Sequence, residues 1–205
     1  MYRHVPNLIT ISRLALTVLF FALLNVHQSD TFVRQMWICF AVFIVATLTD
    51  ILDGYLARSW KVESAFGRVV DPFVDKILVC GAFVFFSSTR FINEAELATF
   101  KDAAITGVAP WMAVVLVGRE FLITGLRGLA EAKGIDFRAD WSGKFKMFIQ
   151  SFAIGAILVD VATSYNGSPI GWVRITRDIT IWTTLVVTVL SATGYVIRAR
   201  RVIHD

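Results

Sequence analysis

Four aspartates, Asp50, Asp53, Asp71 and Asp75, fall within 26 residues of a largely apolar chain. Asp50 and Asp53 are three apart, and Asp71 and Asp75 four apart, so on helices each pair shares one face. Gly54 and Ala57 continue the first face, and Gly67 opens the second, four residues before Asp71. Small neighbours let two acidic faces come close and leave room for a ligand between them. Hard divalent cations take oxygen ligands of this kind. Carboxylate pairs on facing helices can hold two such ions about 4 Å apart, a spacing suited to phosphoryl displacement. Metals so placed would neutralise a diphosphate and stabilise a leaving phosphate. A carboxylate left partly free could take the proton of an attacking hydroxyl.

A second group is basic: Arg119, Arg127 and Lys144. Arg119 and Arg127 are eight apart, about two helical turns, and share a face. They suit a second anion, such as a phosphorylated alcohol. Arg119 lies deep enough in an apolar run to need a partner, and Glu120 or an aspartate could be a purely structural one. Lys76 either pairs with a carboxylate or meets a substrate. Lys61, Arg68 and Lys146 read as topology-setting charges, and His4, His27 and His204 as solvated residues near span ends. A metal-diphosphate site beside a separate phosphate site points to transfer between a lipid and a soluble substrate.

The elements that position these groups are membrane spans. Of 205 residues, 56% are hydrophobic and 18% charged, and mean hydropathy is +0.65. Those values set the chain among membrane proteins and not soluble domains. Six spans are expected, at about 7–27, 35–59, 67–88, 105–130, 142–163 and 178–198, giving an all-α six-helix bundle in one domain, 1–205. Pro6 suits a helix start, whereas Pro72 predicts a disturbed or kinked start to the third span. Residues 89–104 read as a polar loop with room for a short amphipathic helix, and 164–177 as a loop. The first segment reads as a retained span, not a cleaved signal. Cys39 and Cys80 lie inside apolar runs and read as small hydrophobes. Four carboxylates near lipid would cost about 2.5–3.5 kcal/mol each at mid-bilayer, which bound cations would offset.

Orientation follows from Lys and Arg. One side holds Arg3, Arg58, Lys61, Arg68, Arg127, Lys133, Arg138, Lys144, Lys146, Arg198, Arg200 and Arg201; the other holds Arg34, Arg90, Lys101, Arg174 and Arg177. This asymmetry predicts both termini in the cytoplasm. It sets the acidic and basic groups at similar depth, facing that compartment. The net charge of +4 is then explained by loop topology and anionic lipid or phosphate substrates, not nucleic acid.

The aspartate stretch resembles the signature of the CDP-alcohol phosphotransferases, D-x2-D-G-x2-A-R-x8-G-x3-D-x3-D. Here it reads Asp50, Asp53, Gly54, Ala57, Arg58, Gly67, Asp71 and Asp75, with every spacing kept. The family's six-span fold agrees with the span reading. PNLITISRL at 6–14, GREFLITGLR at 118–127 and SGKFK at 142–146 resemble members that pass the phosphatidyl group of CDP-diacylglycerol to glycerol 3-phosphate, releasing CMP. Related members use inositol phosphate or a second phosphatidylglycerol, as in cardiolipin synthesis, and carry basic residues here too.

The resemblance implies that Asp50, Asp53, Asp71 and Asp75 bind magnesium or manganese and that Asp75 is also the general base. It sets Gly54, Ala57, Arg58 and Gly67, with Asn7 and Thr49, around the nucleotide. It assigns the acceptor phosphate to Arg119, Arg127 and Lys144. It also implies a homodimer in a bacterial inner membrane. No Ser, Cys or His stands out as a covalent nucleophile, so direct displacement is expected. A competing class is a cation transporter, whose carboxylates should spread through the membrane depth.

Overall fold

The computed structural model describes residues 5–26, 31–60, 65–88, 91, 105–133, 141–164 and 170–204; at 5–10, 51–60, 65–72, 131–132, 141–144 and 198–204 it describes the backbone only. Six helices carry almost all of it, and no strand occurs among the described residues. They are α1 (Val5–Asn25), α2 (Phe32–Trp60), α3 (Ala65–Phe86), α4 (Pro110–Ala132), α5 (Trp141–Ser164) and α6 (Gly171–His204). Among the described residues three stretches are long and apolar enough to cross a membrane: Phe32–Asp50, Phe145–Ser164 and Gly171–Ile197; a shorter apolar one covers Ile11–Asn25.

The helices close into a ring. α1 packs on α2 and α3, α2 also on α5, α5 on α6, α6 on α4, and α4 on α3, while α3 reaches across to α5. Aromatic rings fill the seams: Phe20 lies 5.8 Å from Phe43, and Phe21 stacks on Phe85 at 5.2 Å. Gly81 makes the α1–α3 seam possible, because a Cβ there would overlap the Phe21 ring. Gln35, in the first turn of α2, donates its side-chain amide to the Leu23 and Val26 carbonyls. Those carbonyls belong to the end of α1, where intrahelical partners run out.

Along α6 the polarity is inverted relative to a helix of a water-soluble bundle. On α6, Thr180, Thr184, Thr188, Ser191 and Tyr195 are buried at spacings of four, four, three and four, while Ile175, Ile179, Trp182, Val186 and Leu190 are exposed. Many threonine hydroxyls on the helices bond to the preceding turn, as Thr163 does to the Val159 carbonyl at 2.8 Å, and Thr184 bonds across to the Ile149 carbonyl of α5. An apolar exterior around a core that also buries polar side chains is what lipid as solvent selects.

Three boundaries differ from expectation. α3 runs unbroken through Pro72, for a missing hydrogen bond is tolerated where neighbouring helices support the backbone. α4 starts at Pro110, not near 105, since proline at a first helical position lacks only a donor that would be unpaired anyway. The turn before it is held by Thr106, whose hydroxyl donates to the Phe86 carbonyl at 2.7 Å and accepts from the Val108 amide at 3.3 Å. α6 starts at Gly171 instead of 178. The possible helix within 89–104 falls outside the described residues, Phe91 apart.

The early start of α6 brings Arg177 into the bundle. Its Nη1 donates to Asp160 Oδ2 of α5 at 2.6 Å and to the Ile105 carbonyl at 2.7 Å. Its Nε and Nη2 both donate to Asp178 Oδ1, at 2.9 and 2.7 Å. Asp160 is fully buried. The guanidinium also lies over Gly107, whose φ of +71° favours glycine and whose Cβ, if present, would approach Arg177 to 3.1 Å. Breaking a buried pair strands a charge, at about 3–5 kcal/mol. Arg177→Met is therefore expected to lower the thermal unfolding midpoint in detergent markedly, whereas the lipid-facing Ile179→Ala should change it little. Equal midpoints for the two variants would show that this clamp carries no stability.

Candidate active site

Arg13 is the junction of three helices. It sits on α1, 2% exposed, and its Nη1 lies 2.9 Å from Asp50 Oδ1 on α2 and 3.4 Å from Asp75 Oδ1 on α3. The Arg13 carbonyl in turn accepts the buried Thr17 hydroxyl at 2.9 Å. A guanidinium inside an apolar bundle demands a negative partner, and here it has one from each acidic pair named in the sequence. Asp50 and Asp75 keep about a third and a quarter of their side-chain surface accessible, so the carboxylates border open space.

This arrangement bears on the metal expectation. Two carboxylates from different helices already converge on one positive centre, and their oxygens are the donors that hard divalent ions prefer. Asp53 lies one turn beyond Asp50 on α2, and Asp71 one turn before Asp75 on α3, with their side chains outside the described residues. No set of three or more acidic, His or Cys side chains gathers among the described residues. Asp50 and Asp75 by themselves contribute two hard carboxylate donors of the kind magnesium or manganese takes.

A basic group occupies the same end of the bundle, on α4, α5 and α6. Arg119 Nη1 donates to Glu120 Oε1 at 3.1 Å, and its Nη2 to Ser191 Oγ at 2.8 Å. Glu120 is shared, for Lys146 of α5 also donates to its Oε1. Arg127 Nη2 donates to the Tyr195 hydroxyl at 3.0 Å. Arg119 and Lys146 thus share one carboxylate and Arg127 meets a neutral hydroxyl, so among the described residues these cations outnumber the carboxylates paired with them. The Nε atoms of Arg119 and Arg127 are buried and have no hydrogen-bond partner among the described residues. The cluster therefore keeps charge and donors to spare for an anion.

The expected residues divide accordingly. Asp50 and Asp75 meet through Arg13, and Arg119 and Arg127 meet through α6. Gly54, Ala57 and Arg58 lie on the last turns of α2, Gly67 near the start of α3, Asn7 in the first turn of α1 and Lys144 in the first turn of α5, with no side-chain description. The Thr49 hydroxyl donates to the Val45 carbonyl at 2.7 Å and is otherwise exposed. Glu120 is the structural partner of Arg119 that the apolar setting calls for. Lys76 donates from its Nζ to the Thr124 hydroxyl at 2.7 Å, and no carboxylate pairs with it among the described residues. Lys146 is not a peripheral topology charge but a buried member of the cluster. Arg13, Asp160, Ser191 and Tyr195 are functional or structural residues that the sequence reading missed. Arg13 and Asp160 did carry a signal, since an ionisable residue inside an apolar run needs a partner; Ser191 and Tyr195 carried none.

The CDP-alcohol phosphatidyltransferase family profile matches residues 3–190. The chain belongs to that family. It is 30% identical over 201 residues to the CDP-diacylglycerol–glycerol-3-phosphate 3-phosphatidyltransferase of Bacillus subtilis, covering 94% of this chain and 93% of that one. It is 24% identical over 193 residues to the protein of the same name from Rickettsia typhi, covering 94% and 95%. A probable phosphatidylglycerophosphate synthase of Mycobacterium tuberculosis is 29% identical over 202 residues, covering 97% and 82%. The family match takes in Arg13, the four aspartates and the α4 arginines, and it stops one residue before Ser191.

A charge-assisted hydrogen bond contributes about 1.5–3 kcal/mol, and Arg13 makes its contacts across two helix seams. Arg13→Met is expected to lower the unfolding free energy of metal-stripped protein by an amount of that order, and its unfolding midpoint with it. Added magnesium should raise the midpoint of the variant more than that of the parent, because an ion can replace the lost counter-charge. A variant as stable as its parent in chelator would show that the Arg13 bridge does not join the helices.

Proposed function

We propose that this protein transfers the phosphatidyl group of CDP-diacylglycerol to glycerol 3-phosphate, giving phosphatidylglycerol phosphate and CMP. The observation that carries this reading is the pairing of two opposite charge centres at one end of one bundle: carboxylates at Arg13 and surplus cations at Arg119 and Arg127. One suits a metal-bound diphosphate, the other a phosphate monoester. The relatives' names agree with that division. A cation pathway would instead spread its carboxylates through the depth of the bundle.

The acids Asp50, Asp53, Asp71 and Asp75 hold magnesium or manganese, which when bound neutralises the diphosphate and stabilises the phosphate of departing CMP. Asn7, Thr49, Gly54, Ala57, Arg58 and Gly67 border the nucleotide. Arg119, Arg127 and Lys144 hold the acceptor phosphate and so orient the glycerol hydroxyl. Asp75 takes the hydroxyl proton as that oxygen attacks the lipid-side phosphorus. A new phosphorus–oxygen bond forms while the bond to CMP breaks, with no covalent enzyme intermediate. The reading of six spans rests on the apolar runs, that of both termini and this end of the bundle in the cytoplasm on the Lys and Arg asymmetry, and that of a bacterial inner membrane on the family resemblance. The reading as a homodimer rests on the family resemblance.

Purified protein is expected to release CMP from CDP-diacylglycerol only with both glycerol 3-phosphate and a divalent ion present. Asp75→Asn should lower the rate at least about 10²-fold with the helical circular dichroism unchanged. CMP release driven by inositol phosphate or phosphatidylglycerol in place of glycerol 3-phosphate would overturn the acceptor and keep the family chemistry. CMP release undiminished in chelator would overturn the metal role.

A further inference from the structure

Tyr195 touches both acceptor-side arginines. Its ring centre lies 5.5 Å from the Arg127 guanidinium carbon and 5.9 Å from that of Arg119. Its hydroxyl oxygen accepts from Arg127 Nη2, while Ser191, one turn earlier on α6, accepts from Arg119 Nη2. Ser191 is itself fixed, donating to the Thr188 carbonyl at 2.9 Å. Tyr195 is 1% exposed. α6 thus offers one ledge, two residues deep, on which both guanidinium groups rest.

The chemistry of that ledge matters. Two guanidinium groups held near each other repel, and a carboxylate between them would cancel the charge an anion needs. An aromatic face attracts cations without neutralising them. A phenol oxygen fixes one Nη and leaves the formal charge intact. Each guanidinium retains a buried, unpartnered Nε, so the ledge orients the pair without using up its donors. Planar guanidinium groups recognise phosphate by geometry as well as charge, and their separation and tilt decide whether one phosphate can engage both.

We infer that Tyr195, supported by Ser191, is a positioning residue that sets the spacing and tilt of Arg119 and Arg127 and thereby selects acceptors bearing a phosphate monoester. This rests on the reading of those arginines as the acceptor-phosphate site.

The test is steady-state kinetics of the full-length protein in mixed micelles of CDP-diacylglycerol, with each substrate varied in turn. Arg127→Ala tests the underlying reading and should raise KM for glycerol 3-phosphate at least about tenfold, the loss of one charged hydrogen bond. Tyr195→Phe keeps the ring and loses the oxygen; it should raise that KM about 2- to 10-fold. Tyr195→Leu loses both and should raise it further, by about 10- to 100-fold. In both Tyr195 variants kcat and KM for CDP-diacylglycerol should change less than KM for the acceptor. A residue with a packing role alone would lower the unfolding midpoint and depress kcat without this selectivity. An unchanged acceptor KM in Arg127→Ala overturns the phosphate-site reading. A raised acceptor KM in Arg127→Ala, with Tyr195→Phe and Tyr195→Leu both at the parent value, overturns the positioning role alone. If Tyr195→Leu fails to fold, Tyr195→Phe decides by the same criterion.

Discussion

The need to pair charge inside an apolar bundle governs this structure. Arg13 has almost no contact with solvent, and a cation in that position is tolerable only with carboxylates at hand. Asp50 and Asp75 supply them from different helices. The pairing therefore does two jobs at once. It compensates the guanidinium, and it brings Asp50 of α2 and Asp75 of α3 to one residue of α1, the helix on which both pack. The candidate site is then a consequence of how the fold handles its own charge.

The same constraint recurs twice elsewhere. On the basic side, Glu120 is shared between Arg119 and Lys146, and α6 supplies uncharged oxygens and an aromatic ring for what remains. At the far end of the bundle, Arg177 is compensated by buried Asp160 and by Asp178. The outcomes differ. The far cluster is fully coordinated, with its guanidinium also spent on a backbone carbonyl. The basic cluster near Arg119 is left with surplus charge and orphaned donors. Unfinished coordination separates a site that can take an anion from a clamp that can only hold helices.

Much of this was legible in the chain. The four aspartates declared themselves by spacing, since helical period turns separations of three and four into shared faces. The helices followed from apolar runs of membrane length, and the Arg119–Arg127 pair from a two-turn interval. What could not be read was how distant elements meet. Nothing in the residues around position 13 names Asp50 as its partner, and nothing around 195 announces an arginine 68 positions earlier. Lys146 has the same local surroundings as a loop-flanking charge, and only the α4–α5 geometry shows it buried against Glu120. The start of α6 was misjudged because its first turns are polar; tertiary pairing of Arg177 outweighs their weak local preference for helix.

The missing side chain at Gly81 has a reach beyond the seam where it lies. Phe21 is two turns along α1 from Arg13, and Gly81 is six residues along α3 from Asp75, so both contacts act on the same pair of helices. Any larger residue at 81 would act as a wedge, and the two rods would splay about it. The 3.4 Å separation of Arg13 from Asp75 has little slack to absorb such a tilt before the contact is lost. A single methyl group there, on the wall of a cavity that Lys76, Glu120 and Thr124 also line, would thus press on the contact that joins the first helix to the acids. A smaller side chain at 21 would make room for a larger neighbour at 81.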